Sequence, residues 1–224
     1  MLDEMGRPSR KSADDPVPPI RSISGLAEAA QSCQACALYQ RATQAVFSEG
    51  PARARLVLVG EQPGDVEDRE GRPFVGPAGT VLDRALKAAG LDRRRVYLTN
   101  AVKHFSWEPA PGRPGSGERG KRRIHKKPRT SEVRACRPWL DAELARIKPA
   151  LTVCMGAVAV QALLGPKVTI RTARGQIFET RAGRVIVTRH PSSILRAIDK
   201  AAREAAFDEL VHDLRRAAQL TATA

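Results

Sequence analysis

The stretch Leu56-Val57-Leu58-Val59-Gly60-Glu61-Gln62-Pro63-Gly64-Asp65-Val66-Glu67-Asp68 decides the fold. Four consecutive branched aliphatics suit a parallel strand covered on both faces, and in an open α/β sheet ligands bind beyond the carboxyl ends of such strands. The run stops in glycines flanking a proline, which let the backbone turn sharply and lie close to a ligand. Glu61, Asp65, Glu67 and Asp68 place four carboxylates in the same loop. A solvated acidic turn and a reactive loop fit these residues equally well, and the rest of the chain has to choose between them.

Working outward, apolar runs at 95–102, 150–155 and 184–188 predict three more core strands. Helical spacing predicts helices over 81–90, 131–147 (with Cys136, Leu140, Leu144 and Ile147 on one face), 157–164 and 198–220. The last should turn Ala202, Ala205, Phe207, Leu210, Val211 and Leu214 to the sheet. A short helix over 25–39 should present Cys33 and Cys36 near its end. A hairpin is expected from 168–170 and 176–180, turning near Arg174-Gly175, whereas 104–130 reads as a long loop without periodicity. This alternation gives an α/β fold, a three-layer α/β/α arrangement around a central four-stranded parallel sheet. Residues 1–24, rich in Pro, Ser, Asp and Arg, read as a mobile tail, and 25–220 as one domain.

Thirty-eight Lys and Arg against 24 Asp and Glu give a formal charge of +14 and a pI near 10.5, which favours a polyanionic partner. The charge is concentrated: residues 93–137 hold 14 Lys or Arg against Glu108, Glu118 and Glu132. His104, Trp107 and His125 interrupt that run, a pattern better suited to tracking phosphates than to a solvated face. No apolar stretch reaches the roughly 20 residues that span a bilayer, and the start lacks the order of a signal peptide, so a cytoplasmic protein is expected.

Cys33, Cys36, Cys136 and Cys154 are the only cysteines. In a cytosolic chain, a C-x2-C pair and two distant singles argue for a metal centre over disulfides. Structural zinc and an iron-sulfur cluster both accept four thiolates, and buried unliganded thiols are the alternative to either. Only the first pair has the form of a zinc knuckle, which favours the cluster.

Three other places carry candidate chemistry. Phe74, in the loop Gly71-Arg72-Pro73-Phe74-Val75-Gly76, is a core plug or a stacking platform, and its loop position favours stacking. The amides from Gly76 onward, at the start of a helix, offer a seat for a phosphate. Asn100, where the second strand ends, offers a donor and an acceptor side by side or bridges a turn.

Gly60-Glu61-Gln62-Pro63-Gly64 and the late His190-Pro191-Ser192-Ser193 together resemble the two motifs of the uracil-DNA glycosylase superfamily. The cysteines resemble its iron-sulfur branch, family 4. Gln62 after Glu61, with Lys121-Arg122-Arg123-Ile124-His125, is similar to the uracil-DNA glycosylase X subfamily, whose members cross-link themselves to uracil-containing DNA. The likeness covers about 26–220; the Pro/Gly insert at 108–120 is longer than expected for that subfamily.

The resemblance implies a uracil-DNA glycosylase-like fold with a 4Fe-4S cluster on Cys33, Cys36, Cys136 and Cys154. It implies cleavage of the N-glycosidic bond of uracil in DNA and covalent attachment of the sugar to His125, with Glu61, Asp65 and His190 as the other catalytic groups. Uracil would be held by Gln62, Phe74, Asn100 and His190. DNA would be held by Gly76, Lys121, Arg122, Arg123, Ser192, Ser193, Leu195 and Arg196, with Leu195 as a wedge in the vacated stack. The expected partner is uracil-containing DNA, single-stranded foremost and duplex as well; a monomer working in the cytoplasm at the bacterial nucleoid is expected. An ordinary turnover glycosylase and a non-catalytic iron-sulfur DNA-binding protein are the alternatives.

Overall fold

The computed structural model describes residues 17–110 and 122–222. In chain order the helices are α1 (Ile23–Ala30), α2 (Asp65–Glu70), α3 (Pro77–Ala88), α4 (Thr130–Ile147), α5 (Ala157–Leu164), α6 (Ile170–Ala173), α7 (Pro191–Leu195) and α8 (Lys200–Ala222). The strands are β1 (Ser48–Glu49), β2 (Leu56–Gly60), β3 (Val96–Asn100), β4 (Trp107–Pro109), β5 (Arg123–His125), β6 (Leu151–Met155), β7 (Ile177–Thr180) and β8 (Gly183–Thr188). The main sheet runs β1-β3-β2-β6-β8-β7. Its four middle strands are parallel, as expected; β1 and β7 add an antiparallel strand at each edge.

Side chains alternate across a strand, so β2 feeds two cores. Leu56 and Leu58, with Leu98, Val153 and Ile186, pack under α3 and α8 through Leu82, Leu86, Leu210 and Leu214. Val57 and Val59, with Tyr97, Cys154 and Val187, pack under α4 and α5 through Leu140, Leu144, Val158 and Ala159. A third cluster joins α1 to α4, with Leu26, Phe47, Cys136 and Trp139 at its centre. No described helix is long and apolar enough to cross a membrane.

Several local expectations are corrected. The acidic loop does not stay a loop, because Asp65 to Glu70 wind into α2, with Glu67 bonding the amide of Gly64 at its start. α1 stops at Ala30, so Cys33 and Cys36 sit in the turn beyond it and not on a helix. Residues 104–130 hold a two-stranded hairpin, β4 with β5. The later hairpin is β7 with β8, turning at Arg181-Ala182, and Ile170 begins a helix capped by Thr169. On α8, Ala206 is buried and Ala205 exposed. Of the expected tail, 1–16 lie outside the described residues, whereas Val17 and Ile20 pack on the third cluster and Ile20 accepts a hydrogen bond from Arg146 at 2.7 Å.

Candidate active site

Parallel strands end together, and here the carboxyl ends of β2, β3 and β8 deliver Gly60, Asn100 and His190 to one place. Gly60 has no room for a side chain: a Cβ would stand 2.4 Å from Asn100 Oδ1 and 2.6 Å from Phe74 Cζ. Phe74 is held over this spot with a left-handed φ of 56°, an unusual state for an aromatic residue, while Gly79 lets the next helix press against its carbonyl. Its ring lies 6.2 Å from that of His190, tilted by 33°.

His190 caps α7. Its Nδ1 accepts from the Ser192 amide at 3.2 Å and lies 2.8 Å from the Ser192 hydroxyl, which puts the ring proton on Nε2. Burial, then the charges of Arg196 and His125, push the His190 pKa down to about 4, so the ring is neutral at pH 7. Nε2 and Asn100 Oδ1 are both buried without a hydrogen-bond partner. A donor and an acceptor left open beside an aromatic face form a seat for a flat, hydrogen-bonding ring.

The hairpin lies over this seat and is stapled down. Gln62 donates to the carbonyls of Ser106 at 3.1 Å and Lys126 at 3.2 Å and accepts from the Ser106 amide at 3.1 Å. Arg123 pairs with Asp65 and, at 2.6 Å, with the fully buried Asp68, which also takes the Thr43 hydroxyl at 2.6 Å. Trp107 Nε1 donates to Arg41 O at 2.9 Å. These contacts set His125, at the end of β5, with Nε2 3.6 Å from Glu61 Oε1. Burial and Arg196 lower the His125 pKa, and burial raises that of Glu61.

Phe74, Asn100, His190, Glu61 and His125 are thus brought together as the sequence suggested. The other named residues have partners of their own. The Gln62 side chain holds the hairpin. Asp65 and Arg123 neutralise each other, so Asp65 is not a free catalytic carboxylate and Arg123 is not a free phosphate ligand. The Gly76 amide is taken by Glu67 Oε1 at 2.9 Å. Ser192 holds the His190 ring, and Ser193 donates to the His190 carbonyl at 2.8 Å. Arg122 and Leu195 are exposed, and Arg196 is anchored on Ser192 Oγ at 3.1 Å; Lys121 lies outside the described residues. Glu67 and Asp68, clamps for the flanking loops, carried no local signal beyond their charge.

The cysteines divide three to one. Cys33, Cys36 and Cys136 meet in the third cluster, where Trp139 Nε1 donates to Cys33 Sγ at 3.3 Å and the Lys103 amide to Cys136 Sγ at 3.2 Å. Cys154 is buried on β6 in the second core, beside Arg137. Among the described residues no three His, Cys, Asp or Glu side chains close on a single metal ion. A cluster presents several irons, so its ligands need not converge on one point, and N–H donors to sulfur are the usual surroundings of such thiolates. The three thiols fit that group and Cys154 does not. His104 follows Lys103; its ring is buried and makes no hydrogen bond to another described residue. The same Lys103 donates from Nζ to Glu143, to Thr99 Oγ1 at 2.6 Å and to the Asn100 carbonyl at 3.0 Å, tying the cysteine region to the seat.

Residues 47–215 match the family model described as the uracil DNA glycosylase superfamily. The chain is 35% identical over 187 residues to the type-4 uracil-DNA glycosylase of Thermotoga maritima, covering 83% of this chain and 89% of that protein. It is 32% identical over 184 residues to the type-4 uracil-DNA glycosylase of Archaeoglobus fulgidus, covering 79% and 84%. A shorter match, 33% over 130 residues, joins it to the type-5 uracil-DNA glycosylase of Thermus thermophilus, covering 51% and 52%.

Proposed function

The chain belongs to the uracil-DNA glycosylase superfamily, and we propose that it excises uracil from DNA and is then captured by the abasic sugar through His125. The observation that carries the second step is the placement of the half-exposed His125, its pKa lowered by partial burial and by Arg196, with Nε2 3.6 Å from Glu61. A target base inside a duplex must first be flipped out, at a cost of a few kcal/mol. Uracil would stack on Phe74, with Asn100 Oδ1 accepting from N3–H and the Asn100 amide donating to O4; cytosine presents the reverse pattern.

The C1′–N1 bond then breaks with its electron pair going to uracil. His190 Nε2–H, uncharged and unpartnered, donates to O2 and steadies the departing anion, while the sugar becomes an oxocarbenium ion. A lone pair of the His125 imidazole adds to C1′, and the ring sheds its remaining proton to the uracil anion or to Glu61. A neutral imidazole held in place outcompetes water through effective concentration, and the N-glycosyl imidazole it forms persists.

The reading includes a 4Fe-4S cluster held by Cys33, Cys36 and Cys136, with His104 as fourth donor in place of Cys154. Bound there, the group would supply a structural cross-link between α1, α4 and the segment after Asn100. It also includes a monomer that works in the cytoplasm on single-stranded uracil-containing DNA foremost, with exposed Leu195 as the wedge for duplexes.

Denaturing electrophoresis after mixing with a uracil-containing single strand tests both steps. A shifted band is expected for the native chain, and free abasic DNA with no band for His125→Ser. Abasic DNA without adduct from the native chain would leave a turnover glycosylase. An adduct surviving in His125→Ser would move the nucleophile elsewhere.

A further inference from the structure

Beyond His125 the chain runs through Lys126, Lys127 and Pro128 without helix or strand to Arg129, whose backbone is extended, and α4 begins. This segment forms one wall of a cleft of about 470 Å3 between α4 and α5. Lys127, Arg129, Arg134 and Arg137 surround it, and no acidic residue lines it. Arg137 is paired with Asp141 at 2.7 Å; Lys127, Arg129 and Arg134 are exposed and form no ion pair among the described residues. Val133, Val158, Ala162 and Pro166 give it apolar lining, with Thr130 and Gln161 as the uncharged polar groups. A second depression of about 420 Å3 shares Arg137 and continues along the same seam to Arg181.

Three exposed cations around an apolar trough suit an anion that carries an apolar part. A single nucleic-acid strand has that composition, with a phosphate at each step and sugar and base between, and positively charged grooves are how single strands are tracked. The trough lies between α4 and α5, with the 127–129 segment as its third side. It also starts at the right place: Lys127 is two residues past His125, at most about 7 Å along the chain, and its charge acts on Glu61.

We propose that the α4–α5 seam carries the single strand flanking the target nucleotide, with its phosphates on Lys127, Arg129 and Arg134. The inference rests on the reading of the chain as acting on uracil-containing DNA. Arg129 and Arg134 touch none of the groups placed around the base, so replacing them isolates the flank.

The test compares the native chain with the double variant Arg129→Gln and Arg134→Gln on three uracil-containing single strands: a short one, one extended on the 5′ side and one extended on the 3′ side. Binding is measured as a function of salt, and uracil release on the short strand serves as the control for folding. One of the two extensions should tighten binding by the native chain. On that strand the variant should show a salt slope lower by about 1.4, the release of counterions from two phosphates. On the short strand the two proteins should agree in both binding and rate. An equal loss on the short and long strands, or no loss on either extension, would overturn the track. If the native chain releases no uracil from any of the three, what fails is the function beneath the inference.

Discussion

Gly60→Ala offers the sharpest probe of the seat. Gly60 does not have a left-handed φ, so its backbone accepts alanine without strain, and the consequence is purely steric. The new methyl would stand 2.6 Å from Phe74 Cζ, where ordinary contact begins at 3.4 Å, so the ring has to withdraw by about 0.8 Å. Asn100 Oδ1, at 2.4 Å, has to move as well. Phe74 cannot retreat through its backbone, because its carbonyl is already packed on Gly79, and Asn100 is tied through its carbonyl to Lys103. The Phe74 ring and the Asn100 amide therefore shift inside the seat. Overpacking of this kind costs about 1–3 kcal/mol of stability, while misplacement of reacting groups by about 1 Å costs about 100-fold in rate. Single-turnover release of uracil from a single strand, at saturating protein, should slow by about that factor. Thermal unfolding should drop by no more than about 10 °C. The adduct should appear more slowly in proportion, since it forms after uracil leaves. A Gly60→Ala protein releasing uracil within twofold of the native rate would show that the base does not sit between Phe74, Asn100 and His190.

Three further outcomes are expected. With a native pKa near 4 against about 6.5 when unfolded, His190 takes up a proton on unfolding between those values, so its contribution is complete above pH 6.5 and lost as pH falls toward 4. Urea titrations at pH 7 and pH 4.5 should show the native chain losing up to about 3 kcal/mol more than His190→Asn does, and identical losses would contradict the buried neutral ring. Arg123→Met leaves Asp68 buried without its guanidinium and should cost about 3 kcal/mol. The same variant should reduce adduct yield far more than uracil release; a native adduct yield would show that the staple does not position His125. Iron analysis of anaerobically prepared protein should find the native content in Cys154→Ala and a loss in Cys136→Ala and His104→Ala; stoichiometric zinc, or iron lost on replacing Cys154, would reject the proposed ligand set.

The sequence by itself determined the layered fold. Apolar runs at Leu56, Val96, Leu151 and Val185 are local patterns, and a strand buried on both faces needs little else to be recognised. It also singled out Phe74 and Asn100 from their places in a glycine-rich loop and at a strand end, and Glu61, His125 and His190 from the motifs that resemble the family's. What the sequence could not determine is which charges are free. Arg123 reads as one more cation in a basic run, yet Asp65 and Asp68, 58 and 55 positions away, neutralise it and turn a supposed phosphate ligand into the staple of the hairpin. Gln62 and Ser192 are likewise taken up in holding the hairpin and the His190 ring. Four cysteines looked like one set until the register of β6 placed Cys154 in another core. Burial follows from short-range hydrophobic periodicity, whereas the partner of a charge, a hydroxyl or a thiol is chosen by whatever the tertiary fold brings within about 3 Å of it.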